Sequence, residues 1–238
     1  MAVDTQTIYL LAAGGERALE QLDTTTNNLA NVNTPGFKRI IEEEMSQHVP
    51  PNGSDAYNML IFPRFKSTQV VLSEGPLRKT DSPFDLALKG RGFFAVKTPN
   101  GELYTRNGHF TLNANGVLVD ANGNPVLDIS GKEIVLSGNG KVTVTPDGLV
   151  FEDDRQVGVL KIVDFAKVKP VGNSYYQGVG APTATDAEVL QGFLEGSNVN
   201  PVKEMVNLIE AQRRFEIYGN LTRALAQVDL RTNEIGKV

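Results

Sequence analysis

The chain has 238 residues, 40% of them hydrophobic and 21% charged, enough for one large or two modest domains with a core, which excludes a wholly disordered polypeptide. A net charge of −5 with no long basic run excludes binding that works by neutralising nucleic-acid phosphates, and no run reaches the ~18 consecutive apolar residues of a membrane-crossing helix. With no cysteine there are no disulfides, thiolate metal sites or cysteine nucleophiles, and the lack of tryptophan with only 7% aromatics disfavours base-stacking platforms.

Met1 to Ile8 lack a basic stretch followed by an apolar one, so a cleaved secretory signal is not expected. From Asp4, a residue suited to N-capping, Ile8, Leu11, Gly15, Ala18, Leu22 and Leu29 recur at helical spacings, with Thr25 at the intervening heptad step. The helix should stop by Thr34, because Pro35 pushes its predecessor out of the α region. Roughly 30 residues would span about 45 Å, and so narrow a stripe on so long a helix is the seam of a coiled coil or bundle. Gly14-Gly15 weakens the helix and reads as a point of close helix contact. Asn31 and Asn33 fit a helix end. Asn27 and Asn28 do not, and interhelical hydrogen bonds that fix register account for them.

Residues 37–80 read as an extended linker or arm with partial order. Within it Pro50 to Ser54 form a turn, Leu60 to Phe65 an edge strand limited by Pro63, and Gln69 to Leu72 a second strand. From Phe84 the period becomes two. Asn100-Gly101, Asn107-Gly108, Asn115-Gly116, Asn122-Gly123 and Asn139-Gly140 predict hairpins with type I′ turns, hence short antiparallel strands in a sandwich or small barrel. Residues 170–196 read as a loop with an edge strand. Asn200 as cap, Pro201 at the first helical position and Glu204 in the first turn open a last helix reaching Ile235. Its apolar positions are Val202, Met205, Val206 and Ile209, then Ile217, Leu221, Leu225, Val228 and Ile235, with a lapse around Gln212 to Arg214.

Local patterns carry no catalytic set. Gly90 to Ala95 matches G-x-G-x-x-A, but a strand follows where a dinucleotide site needs a helix. Asp120 to Asn124 begins like a calcium loop, yet Pro125 and Gly131 occupy positions that require glycine and glutamate, so a hairpin turn is expected. His48 and His109 sit in no triad-like context, and Glu42 to Glu44 and Asp153-Asp154 read as solvated faces. No catalytic, cofactor-binding or metal-binding residue is assigned.

Asn27-Asn28-Leu29-Ala30-Asn31-Val32-Asn33-Thr34-Pro35-Gly36-Phe37-Lys38 resembles the N-terminal signature of bacterial flagellar rod and hook proteins. Asp85 to Phe94 and Tyr104 to Phe110 resemble the family's middle-domain motifs, and Gly196 to Val206 its C-terminal signature, so the resemblance spans nearly the whole chain. Ala18 to Gln21 and Asn200-Pro201 are most similar to proximal-rod members, with distal-rod members next, while Ala13-Gly14-Gly15 departs from the usual rod pattern.

The resemblance implies an α+β fold. Residues 1–36 and 197–238 would form a coiled-coil-like terminal-helix domain, 37–80 an arm, and 81–196 an inserted all-β antiparallel domain. It further implies a non-enzymatic subunit of the basal-body rod, crossing the periplasmic space, exported without a cleaved signal, and helping to transmit torque. Expected partners are copies of itself, other proximal and distal rod proteins, and the export apparatus, with no nucleic acid, membrane insertion or cofactor. The residues expected at the assembly interface are Ile8, Leu11, Ala18, Leu22, Asn27, Asn28, Leu29, Asn31, Asn33, Pro35 and Phe37 from the first block, and Asn198, Asn200, Met205, Val206, Ile209, Leu221, Leu225 and Val228 from the last. The alternative from another class is an extracellular glycan-binding or adhesive β-domain with multimerising helices.

Overall fold

The computed structural model describes residues 5–48, 61–138 and 140–235. Asp4, Pro50 to Ser54 and Asn139 lie outside the described residues, as do the side chains of Ile8 and His48. In chain order the elements are α1 (Thr5–Ala30), β1 (Ile40–His48), β2 (Ile61–Val70), β3 (Leu77–Lys79), β4 (Leu86–Lys89), β5 (Phe93–Thr98), β6 (Gly101–Thr105), β7 (Thr111–Leu112), β8 (Leu118–Val119) and β9 (Val142–Val144). There follow β10 (Leu149–Glu152), β11 (Arg155–Val159), β12 (Ile162–Val163), β13 (Lys167–Gly172), β14 (Tyr175–Val179), β15 (Glu188–Gln191), β16 (Phe193–Glu195) and α2 (Pro201–Ile235). The fold is α+β, with two helices and antiparallel strands in several sheets.

The chain divides into two compact units. One comprises residues 1–30, 41–68 and 200–238, the other residues 31–40 and 69–199. In the first, α1 and α2 pack against each other. They run antiparallel: Gly14 meets Tyr218, and seven residues on Gln21 accepts a hydrogen bond from Arg214 at 3.0 Å. Helix α1 ends at Ala30, before Thr34 as expected, and Asn31 starts a turn whose carbonyl accepts from Thr34 N at 3.1 Å. Helix α2 starts as its cap predicts: Asn200 Oδ1 accepts from Lys203 N at 3.1 Å.

The stretch 37–80, expected as an arm, holds the two-stranded sheet of β1 and β2. Pro63 is tolerated in β2 because each strand of such a sheet is an edge. Nor is Glu42 part of a solvated acidic face: its side chain is buried, 2.7 Å from Arg17 NH1, and accepts from Thr24 Oγ1 at 2.7 Å. Glu43 accepts from Ser67 Oγ at 3.1 Å.

The second unit is built on a five-stranded sheet of order β12-β5-β6-β14-β13. It is open, not a closed barrel. Its edge strand β13 carries Lys167, Lys169 and Pro170, which discourage further strand addition. Residues 170–196, expected as mostly loop, supply part of β13 and all of β14, β15 and β16, the last two pairing with β4 and β3. On β5 the side chains alternate between two cores. Phe94 and Val96 join the larger one with Leu86, Phe110, Val126 and Ile134, while Phe93 joins Phe165, Val168 and Tyr176.

Of the expected Asn-Gly hairpins, those at Asn115-Gly116 and Asn122-Gly123 form, but not with the expected turn, and Asn107-Gly108 joins no strands that pair with each other. Asn113, Asp120, Asp128 and Thr145 each begin a turn in which their carbonyl accepts from the glycine three residues on, at 2.8 to 3.0 Å. Each side chain also captures an amide within the turn, and each glycine has φ between 75 and 81°. This is a type I turn followed by a left-handed glycine. It is favoured here because the first residue's side-chain oxygen organises the turn. The positive-φ pairs that define I′ turns lie elsewhere, at Asp153-Asp154 and Asn173-Ser174.

Candidate functional site

Two features stand out, one in each unit. In the helical unit, heptad positions Glu204 and Ala211 are buried, and Tyr218 packs over Gly14 and Gly15. A β-carbon on Gly14 would stand 2.4 Å from the Tyr218 ring, so Gly14 permits the close helix approach that the glycine pair suggested, while a β-carbon on Gly15 would meet Tyr218 at an ordinary 3.7 Å. At about 100° per residue, Val202, Met205, Val206 and Ile209 project from the side of α2 opposite Glu204 and Ala211. Those four, with Ile217, Leu221 and Val228, remain 46 to 69% exposed. Helix α2 therefore carries apolar residues on both sides, and the side interrupted by Arg213 and Glu216 is uncovered.

The expected interface residues of α1 divide. Ala18 and Asn28 are buried, Leu11, Leu22 and Leu29 half-buried, and Asn27 exposed. Leu10 and Leu19, outside the predicted stripe, are exposed. On α2, Leu225 is half-buried and Asn200 just before the helix is exposed.

In the β-rich unit, the three sequence blocks read as separate motifs converge. Lys38, at the end of the Asn-rich block, directs Nζ to Glu195 Oε1 at 2.5 Å and to Ser73 O at 2.7 Å. Arg106, from the middle block, donates to Glu195 Oε2 at 3.0 Å and to the carbonyls of Leu88 and Gly90. Gly75 N donates to Glu195 Oε1 at 2.8 Å. All three charged side chains are at most 2% exposed. Burial pushes the Lys38 amine below its usual range; the Glu195 carboxylate opposes that shift and Arg106 adds to it. The Tyr176 hydroxyl accepts from Lys38 N at 2.9 Å, and burial raises its pKa.

Backbone bonds bind the same segments together. Gly36 N donates to Glu195 O at 2.7 Å, Asn198 N to Phe37 O at 3.4 Å, and Arg39 N to Asn198 Oδ1 at 2.6 Å. Asn198 Nδ2 donates to Val71 O at 2.9 Å and Ser73 O at 3.0 Å. Gly36 sits at φ 68° with its α-carbon against the Arg106 and Asn107 backbone, where a β-carbon would stand 2.2 Å away. A cleft of about 330 Å³ opens beside this cluster, lined by Val32, Asn33, Pro35, Pro76, Arg78 and Leu194 to Ser197.

Phe37, expected at an assembly interface, is buried inside this unit, and Asn198 is engaged by its own chain. Of the other block residues, Asn31 and Pro35 are half-buried and Asn33 is exposed. Sequence reasoning passed over Lys38, Arg106 and Glu195. For Lys38 and Arg106 the signal was a charge embedded among the aromatic and glycine residues of a block, where a surface charge has no reason to sit; Glu195 stands just before the C-terminal block, between Leu194 and Gly196.

The remaining candidates resolve as structure. Gly90 and Gly92 take φ 103° and 150° and lead into β5. Asp120 anchors a hairpin turn and accepts from the Tyr175 hydroxyl. His109 Nδ1 lies 2.7 Å from Asp85 Oδ1 across the bridge joining these two residues. Among the described residues there is no group of three or more potential metal ligands, and no helix is long and apolar enough to cross a membrane.

Three family models match the chain: Flagella basal body rod protein over residues 9–38, Flagellar hook protein FlgE/F/G D1 domain over 87–152, and Flagellar basal body rod FlgEFG protein C-terminal over 190–235. The chain is 38% identical over 229 residues to flagellar basal-body rod protein FlgF of Caulobacter vibrioides, covering 92% of this chain and 93% of that protein. It is 36% identical to FlgF of Mesorhizobium japonicum, with 91% and 92% covered. Flagellar basal-body rod protein FlgG of Buchnera aphidicola subsp. Schizaphis graminum is 33% identical, with 88% and 92% covered.

Proposed function

The chain belongs to the flagellar basal-body rod protein family, and from that premise we propose that it is a structural, non-catalytic subunit of the rod, FlgF-like and of the proximal rod. It joins copies of itself and other rod proteins through its terminal helices, which form a coiled-coil-like inner layer, with residues 81–196 as an inserted β-domain outside it. The observation that carries this reading is the uncovered apolar side of α2, from Val202 to Val228. Isolated in water, that side costs the monomer hydrophobic stabilisation that neighbours would supply. Head-to-tail packing of such a surface generates a helical tube rather than a closed dimer.

The export apparatus passes the chain unfolded, which suits a polypeptide with no cysteine to lock it. The rod so built crosses the periplasmic space and transmits torque. Ile209→Asp tests the reading. Monomer stability should change by no more than about 0.5 kcal/mol, since the site is exposed, while incorporation into isolated basal bodies is lost. Normal incorporation of this variant would refute assembly through that side of α2.

A further inference from the structure

The chain passes between its two units at four places: after residues 30, 40, 68 and 199. The segments of the β-rich unit that flank those crossings are tied to one another. Residues 36–39 bond to 195–198, Val71 N donates to Arg39 O at 2.9 Å, and Asn198 and Lys38 both donate to Ser73. Glu195 sits at the centre, holding Lys38, Arg106 and the Gly75 amide. We infer that this clasp is the mechanical joint of the subunit, carrying load that enters through either terminal helix so that the β-sheets do not.

The direction of the pairing gives the reason. Gly36 bonds to Glu195 and Phe37 to Asn198, so residue numbers rise together and the two segments run parallel. Helix α1 enters at the N-terminal end of one segment and α2 leaves from the C-terminal end of the other. Tension between the helices therefore pulls on opposite ends of parallel segments. It loads their hydrogen bonds and the Lys38–Glu195 pair in shear, all at once, instead of unzipping them singly. The strands from β4 to β15 lie in the covalent loop between Lys38 and Glu195 that the clasp closes, so load reaches them only after the clasp ruptures. The buried charges suit this work because they set which segments meet, and separating them would leave an unpaired charge in a dry site. This inference deepens the reading of the chain as a torque-bearing rod subunit and rests on it.

The full chain has no cysteine, so handles can be placed at will. Cysteines substituted for the exposed Thr26 and Val202 would load the joint, and a second pair at Lys97 and Lys167 would load the five-stranded sheet. Single-molecule pulling through 26 and 202 should show the rupture force falling about twofold in Glu195→Gln, where a buried pair is broken, and falling in Asn198→Ala. Pulling through 97 and 167 should show little change in either variant. Asn198→Ala keeps the test open should Glu195→Gln fail to fold, since Asn198 is only half-buried. An unchanged rupture force through 26 and 202, or an equal fall along both directions, would overturn the joint. These measurements use the monomer, so they fail or succeed separately from basal-body incorporation.

Discussion

Strand β5 and helix α2 are both rich in apolar residues and dispose of them in opposite ways. Phe93 to Val96 are at most 2% exposed, because the sheet is covered on both faces by side chains of the same chain. Helix α2 covers only the face it turns to α1, and its opposite side stays in water. The β-rich unit has thus completed its burial within one polypeptide, whereas the helical unit holds apolar surface in reserve. A subunit that must be folded alone and joined later needs both kinds of surface.

The contrast can be broken most severely at Glu195. Glu195→Gln leaves the Lys38 ammonium buried without a counter-charge and should cost the β-rich unit about 3–5 kcal/mol, read by urea unfolding through the hydrogen-exchange protection signal of the β5 and β6 amides. Far-UV circular dichroism from α1 and α2 should be retained at urea concentrations where that signal is lost. Coincident loss of both signals would mean that the two units are not energetically separate.

A moderate effect is expected at Gly14. Gly14→Ala forces a methyl onto the Tyr218 ring, costing about 1–3 kcal/mol by overpacking, offset by roughly 1 kcal/mol of improved helix propensity. In a double-mutant cycle, Tyr218→Ala should cost less in the Gly14→Ala background than alone. Additive effects would remove Gly14 from the helix contact.

The smallest effect concerns acid stability of the β-rich unit. Burial raises the Asp128 pKa from its ordinary 3.8, but amide bonds from Ser130 and Val159 outweigh it and the net shift is downward. Glu152 is held below 4.5, chiefly by the Ser137 amide and hydroxyl. Both folded values lie below the unfolded ones, so the stabilisation is present above about pH 4.5 and is lost as pH falls through the folded values. The thermal midpoint of this unit should be flat from neutrality to about pH 5 and then decline, and Glu152→Gln should make the decline shallower. A midpoint that rises on acidification would contradict these assignments.

Much of this was legible beforehand where the cause is local. The start of α2 follows from Asn200, Pro201 and Glu204, whose capping chemistry needs no distant partner. Turn positions at Asn115-Gly116 and Asn122-Gly123 were visible for the same reason, but their type was not. It depends on whether the preceding Asn113 or Asp120 side chain folds back onto the turn amides. Strands β14 to β16 read mostly as loop because Gly178, Gly180 and Gly192 hide their periodicity, and their partners β6, β4 and β3 lie far earlier in the chain. Glu42 was misjudged likewise: a run of three acids reads as solvated until Arg17 and Thr24 are seen beside one of them.

The sequence by itself determined the two terminal helices and the antiparallel middle, since periodicity, caps and turn residues act over a few positions, and the resemblance of its three blocks pointed to a rod family. Only the tertiary structure decided that Lys38, Arg106 and Glu195 share one dry cluster. Lys38 and Glu195 are 157 residues apart, and no local pattern encodes which buried charge will find which partner. Only it, too, separated the face of α2 spent on α1 from the face left over, because a helix with apolar residues on both sides does not announce which side its own chain will cover.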